Sequence, residues 1–241
     1  MTGSKLASPP DLHYRKPGAT SVWRTLSSLP ARLLAKPPTD PRQRAVVAMD
    51  RVLLAPPQPE DYRQWADLRR ESRAFLEPWE PVWPNDALSR AGFVRRISYQ
   101  CQEWNADRSY HLMIWRTEDA ALLGGIAMTN IRRGVAQAGM VGYWLGQQFT
   151  GQGYMAEALA AAIDFGFTDL GLNRIEAATM PHNEASRRLL MRAGFAEEGV
   201  ASDYLKIAGE WQDHVLYGLP RRRWAPGGNT ASIHTGDPDF I

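Results

Sequence analysis

The sequence predicts an α/β fold: one twisted sheet of mixed, mostly antiparallel direction with helices packed on it. Two observations carry this. Apolar residues recur at helical intervals in some segments and alternate in others, in the order β-α-α-β-β-β-α-β-α-β-β. Helices separate some strands while tight turns join others, so parallel and antiparallel pairs must coexist. A third observation sets the scale. The 241 residues are 44% hydrophobic and 22% charged, enough for a core without staples. The one cysteine, Cys101, excludes a disulfide framework and a four-thiolate metal site.

The first strand is expected from Arg51 to Leu54, stopped by Pro56-Pro57. Glu60 and Asp61 place acids in the first turn of a helix running to about Phe75. A Trp/Pro-rich loop, Glu77 to Pro84, leads to a second helix from about Asp86 to Trp104, in which Phe93, Ile97 and Cys101 mark one buried face. The period then becomes two. Tyr110–Arg116, Leu122–Asn130 and Ala138–Leu145 form an antiparallel meander, with a turn at Glu118-Asp119. Gly124-Gly125 marks a bulge or a close backbone approach. A helix follows from Gly153 to about Phe167, with Met155, Leu159, Ile163 and Phe167 as its apolar stripe. Arg174–Thr179 is a strand, Asn183–Ala193 a short helix stopped by Gly194 at C′, and Tyr204–Ile207 pairs with Trp211–Leu219 about Ala208-Gly209.

Residues 1–45 stand apart as a basic, Pro-rich arm, in which Val22–Ala35 is weakly amphipathic. The expected division is this arm, a domain over 46–225 and a flexible tail over 226–241. The formal net charge is +2, but residues 1–49 hold eight basic and two acidic side chains, which leaves twenty against twenty-four in the remainder. Such an arm is either a solvated extension or a contact for nucleic acid such as a ribosome. The first residues, with Ser4, Lys5, Pro9 and Pro10, lack a secretory core, and no apolar run approaches the roughly 20 residues of a membrane span. The expected address is the cytoplasm, with no membrane partner.

The stretch Tyr143–Tyr154 carries the chemistry. A strand runs into Gly151-Gln152-Gly153 and a helix starts there. Glycine lets backbone approach a ligand closely, and the unpaired first amides of a helix suit a pyrophosphate. A dinucleotide fingerprint fails because position 156 is Ala, and Gln152-Gly153 replaces the glycine and lysine of a Walker loop. Some 30 residues on, Asn183 suits an N-cap and Ser186 follows three residues into the helix.

These pieces resemble the GCN5-related N-acetyltransferase (GNAT) superfamily. Gln148-x-x-Gly151-x-Gly153 matches its Gln/Arg-x-x-Gly-x-Gly/Ala loop, and Asn183-x-x-Ser186 with Gly194-Phe195 matches its coenzyme-A helix and the next strand. Tyr143-Trp144-Leu145, Asn173–Ala177, Met180-Pro181, Glu198-Gly199 and Gly209-x-Trp211-x-Asp213-His214 resemble the ribosomal-protein-alanine N-acetyltransferases over about residues 50–225. The resemblance implies splayed central strands holding acetyl-CoA as co-substrate, no metal, and direct transfer to an amine, here the N-terminal alanine of a ribosomal protein. It implies cofactor contacts from Trp144, Leu145, Gln148, Phe149, Thr150, Gly151, Gln152, Gly153, Tyr154, Asn183, Ser186 and Arg187. A strand amide at Leu145 would serve as oxyanion donor. The rival readings are a small-molecule or antibiotic amine acetyltransferase, and a low-turnover coenzyme-A-binding module attached to the ribosome. Monomer and homodimer are both open.

Many members use a Tyr seven residues after the capping Asn as acid; here that residue is Leu190, and Ser186 is the subfamily's alternative. Ser186 is thus either the acid or a coenzyme contact. One branch of protein N-acetyltransferases places a glutamate five residues before the Asn; here that position is Ala178, with Glu176 two residues earlier on the same strand face. Glu176 either serves the amine or pairs with Arg174. Glu77, Trp79, Glu80 and Tyr204 are the expected acceptor contacts, Trp79 and Trp83 serving either as a clamp or as core caps. His111 and His214 are read as packing or hydrogen-bonding residues, and Cys101 as core. An α-amine, with pKa near 8, is about a tenth neutral at pH 7, and so needs less help from a base than a lysine does.

Overall fold

The computed structural model describes residues 39–225, so the amphipathic stretch 22–35 and the tail 226–241 lie outside the described residues. Eight strands form one sheet in the order β1-β2-β3-β4-β5-β6-β8-β7. They are β1 Val47–Ala48, β2 Val52–Ala55, β3 Tyr110–Arg116, β4 Leu122–Arg132, β5 Ala138–Leu145, β6 Arg174–Thr179, β7 Ala196–Ile207 and β8 Glu210–Pro220. β5 and β6 pair in parallel; the other neighbours are antiparallel.

Both sheet faces are covered. α5 (Tyr154–Thr168) lies on one, where Tyr110, Leu112 and Ile114 of β3 meet Leu159, Ile163 and Phe167. α2 (Tyr62–Glu71) and α4 (Arg90–Asn105) lie on the other, where Met113 and Trp115 meet Trp65, Phe93, Ile97 and Cys101. Alternation along β3 therefore divides its residues between two cores, and β2 is buried at all four positions.

Local chemistry sets the helix ends. Ser89 caps α4 by accepting from Gly92 N–H at 3.0 Å, so that helix starts four residues later than the expected Asp86. α6 (Glu184–Arg192) is capped by Asn183. It ends in a Schellman motif: Phe195 N–H donates to the Leu190 carbonyl and Gly194 N–H to that of Met191, with Gly194 at φ +91°. The first helix breaks at Ser72, then resumes as α3 (Arg73–Leu76). The buried Ser72 hydroxyl accepts from Gln147 N–H at 3.0 Å and so ties the break to the end of β5.

Part of the expected arm docks on the body. α1 (Pro41–Arg44) is capped by Asp40; Arg42 donates to the carbonyls of Thr117 and Glu118, and Arg44 pairs with Asp61 at 2.6 Å. Burial raises the Asp61 carboxyl despite the Arg44 charge beside it. The last hairpin is longer than expected. β7 starts at Ala196, and its register shifts twice, between Glu197 and Gly199 and between Ala201 and Leu205. Those residues sit at the sheet edge and are mostly exposed, so no apolar alternation marks them.

Candidate active site

β5 and β6 pair only at Ala138↔Arg174, Gly139↔Ile175 and Met140↔Glu176. Beyond that point β5 keeps β4 as its partner and β6 keeps β8, so two strand edges face each other unpaired. Between them lies a cleft of about 180 Å³, lined by Tyr143, Thr179, Asn183, Ser186, His214 and Trp79 among others.

At the open end of β5 the chain turns through a short 3-10 segment, Gln147–Phe149, into Gly151 (φ +71°) and Gly153 (φ +80°), the N-cap of α5. The loop's polar side chains bond to the loop's own carbonyls and to α2. Gln152 Nε2 donates to the Gln148 carbonyl at 2.8 Å, Thr150 Oγ1 to that of Gln147 at 2.8 Å, and Gln148 Nε2 to Glu71 at 3.3 Å. Among the described residues, the N–H groups of Gly151, Gln152 and Gly153 meet no acceptor. Free amides at a helix start form a nest for an anion. Tyr154, first residue of α5, stacks under the Arg51 guanidinium at 5.1 Å, and Phe149 under that of Arg116 at 5.7 Å. Arg51 Nη1 also donates to the Gln152 carbonyl at 3.0 Å. The buried Glu157 of α5 fixes that arginine, accepting from its Nε at 3.0 Å and its backbone N–H at 2.6 Å. Arg51, Glu157 and Ser72 escaped the sequence reading because each acts across 75 or more residues.

Asn183 Oδ1 accepts from Ser186 N–H at 3.0 Å, which sets Ser186 in the first turn of α6. Ser186 Oγ lies 2.9 Å from the hydroxyl of Tyr143. Burial pushes the Tyr143 phenol up to about 12, only partly offset by the Ser186 hydrogen bond. Arg187 turns the other way: its guanidinium reaches the Tyr217 hydroxyl at 3.2 Å, Glu184 at 3.2 Å and Glu197 at 3.4 Å. Glu176 is not brought into either cleft. Arg174 holds it at 3.0 Å and Arg132 at 2.5 Å, beside the last paired residues of β5 and β6.

A second cleft, of about 460 Å³, opens on the opposite side of β5, beneath α2, α4 and the Trp/Pro-rich loop. Gly142 and Tyr143 line both clefts, so the two meet at the outer half of β5. The ring of Trp144 faces the larger cleft, 4.8 Å from the Arg69 guanidinium, with Trp83 stacked on the same guanidinium at 4.3 Å. Glu80 binds both terminal nitrogens of Arg69 and accepts from Trp83 Nε1 at 2.7 Å. Trp83 thus braces an ion pair. His111 also lines this cleft; burial, reinforced by the Arg96 charge, lowers its imidazole to about 4, so it is neutral at pH 7.

The remaining expected acceptor residues divide. Trp79 lines the smaller cleft, its ring 5.4 Å from that of His182. Glu77 points to solvent and pairs with Arg73 at 2.7 Å. Tyr204 lines neither cleft but packs on His214 at 5.7 Å. Leu145 is buried at the end of β5, its side chain in the core under α5. Among the described residues no cluster of three or more His, Cys, Asp or Glu could hold a metal ion, and no helix is long and apolar enough to cross a membrane.

Comparison with known proteins places this geometry. Residues 51–196 match the family described as Acetyltransferase (GNAT) domain. A ribosomal protein uS5-alanine N-acetyltransferase of Escherichia coli is 36% identical over 178 residues, 74% of this chain and 92% of that one. The structure of Mycobacterium smegmatis RimJ in complex with CoA-disulfide superposes with a TM-score of 0.71 at 30% identity, covering 76% of this chain and 87% of that one. The ribosomal-protein-S5-alanine acetyltransferase of Vibrio fischeri gives 0.68 at 29% identity, covering 74% and 98%. The splayed strands, the glycine loop and these likenesses together make the chain an N-acetyltransferase of the GNAT family.

Proposed function

We propose that this enzyme moves the acetyl group of acetyl-CoA directly to the N-terminal α-amine of a protein, an alanine at the start of a ribosomal protein. The observation that carries the reading is the meeting of two clefts at Gly142 and Tyr143, one bounded by the open strand edges of β5 and β6, the other wide and reached from solvent past the exposed Pro81, Val82 and Pro84. The nest amides and the Arg51 charge fit a diphosphate, and the free edges of β5 and β6 fit a chain with amide groups. Acetyl-CoA supplies the activated acetyl group. The larger cleft, at about 460 Å³, has the size of a site for a few residues of chain. Among the described residues its one lining carboxylate, Glu80, is engaged by Arg69 and Trp83, so they offer no free acid pair to a polyamine there. The names of the relatives from Escherichia coli and Vibrio fischeri point to the same acceptor.

Two protons must move. A group titrating at about 4, such as His111, holds a proton at pH 7 only about once in a thousand times, so it is a poor base. An α-amine is already about a tenth neutral at that pH and needs little assistance. For the leaving sulfur, Ser186 is the candidate acid. Tyr143, pushed up to about 12, stays an O–H donor; when it donates to Ser186 Oγ, the serine proton is free for the cleft. Glu176, Glu77 and Arg187, each engaged elsewhere, have no part in this scheme. The basic residues at positions 1–38, six against one acid, would add ribosome contact.

Thiol release from acetyl-CoA tests the acceptor. A peptide beginning with a free alanine is expected to be turned over, and the same peptide with a blocked α-amine and a free lysine is not. Turnover confined to small amines would transfer the site to the small-molecule reading.

A further inference from the structure

The charged side chains lining the larger cleft are Arg69, Glu80 and Arg96. Arg69 and Glu80 neutralise each other in a two-point ion pair. Arg96, on α4, makes no ion pair among the described residues; its guanidinium lies at the cleft wall, 5.5 Å from the Trp65 ring. The arginine before it, Arg95, is paired with Asp86. Burial and the like charge of Arg69 lower its pKa, with Glu80 acting against them. His111 below it is neutral. The cleft therefore carries one uncompensated positive charge, on a planar donor suited to two-point binding of a carboxylate.

Resting on the peptide reading above, we propose that Arg96 determines acceptor specificity by pairing with a carboxylate side chain within the first few residues of the acceptor. An acceptor whose only nearby charges are ammonium groups meets repulsion there; an acidic residue downstream of the α-amine meets an unfilled partner. The same positive charge favours the neutral form of the bound amine, which is the nucleophile.

The test compares kcat/KM for alanine-initiated peptides that differ only in Glu against Gln at one early position, scanned over positions two to five. The wild-type enzyme is expected to prefer Glu at one position by about ten-fold, a preference that shrinks as salt rises. Arg96→Gln is expected to bring the ratio close to one, and Arg96→Lys to keep part of the preference. Arg96 is not among the buried core residues, so its replacement leaves the core intact. A wild-type enzyme that turns over both peptides equally at every position, or an Arg96→Gln variant that keeps the preference, overturns the assignment alone. No turnover of any peptide α-amine, with small amines accepted, overturns the peptide reading and this assignment with it.

Discussion

Gly124→Val is expected to reduce acetyl transfer about 100-fold or more. Gly124 sits opposite Leu145 in the β4–β5 register. A Cβ there would overlap the Trp144 carbonyl oxygen and come within 2.9 Å of Leu145 Cα. Both are backbone atoms, so no rotamer change relieves the clash, and the outer half of β5 must move. That half carries Gly142 and Tyr143, where the two clefts meet, and leads into the nest. Overpacking of this kind costs about 1–3 kcal/mol. For a protein of this size the melting temperature would then fall by roughly 2–12 °C, leaving a folded enzyme to assay. Circular dichroism and steady-state kinetics together check this: native ellipticity with collapsed turnover is expected. Wild-type turnover in a folded variant would mean that the end of β5 does not position the transfer.

The second large effect is expected at Ser186. Ser186→Ala should lower kcat by about 10- to 100-fold while the acetyl-CoA dissociation constant, read by calorimetry, changes no more than about three-fold. The estimate lies at or below the usual range for proton catalysis because a thiolate is a mild base, with a thiol pKa near 8.5. Protonation helps most below that pH, so the deficit should narrow as pH rises past about 8.5. Tyr143→Phe removes the hydroxyl 2.9 Å from Ser186 Oγ and should reproduce part of the kcat loss with the same pH trend. A large affinity loss at unchanged kcat would make Ser186 a binding residue.

How far the sequence carries depends on the range of the interaction. β3, β5 and β6 have the boundaries read from period-two alternation, because each is buried against one or two neighbouring layers. The Gly151/Gly153 turn, the Asn183 cap and the Gly194 stop are legible because each is a local backbone requirement. The first half of β7 is not, since an exposed, twice-shifted edge strand has no apolar alternation to read. Nor was the break at Ser72 legible, because its hydroxyl answers to Gln147, 75 residues away. Site residues follow the same rule. The sequence could place Ser186 near the cleft but not its Tyr143 partner; it could nominate Glu80 but not the Arg69 and Trp83 that engage it. Arg187 sat in the right motif, yet its long side chain turned to Tyr217 and Glu197. Arg96, the unpaired charge in the larger cleft, emerges only when its surroundings are counted.

The central claim is that donor and acceptor occupy two clefts that join at Gly142 and Tyr143. The most direct measurement is calorimetry of a bisubstrate conjugate, coenzyme A joined through an acetyl spacer to the α-amine of an alanine-initiated peptide. If both clefts fill at once, the conjugate should bind at least about 100-fold more tightly than coenzyme A or the peptide alone. Affinity no better than that of coenzyme A would show that the two sites cannot be bridged through this junction, and would contradict the account.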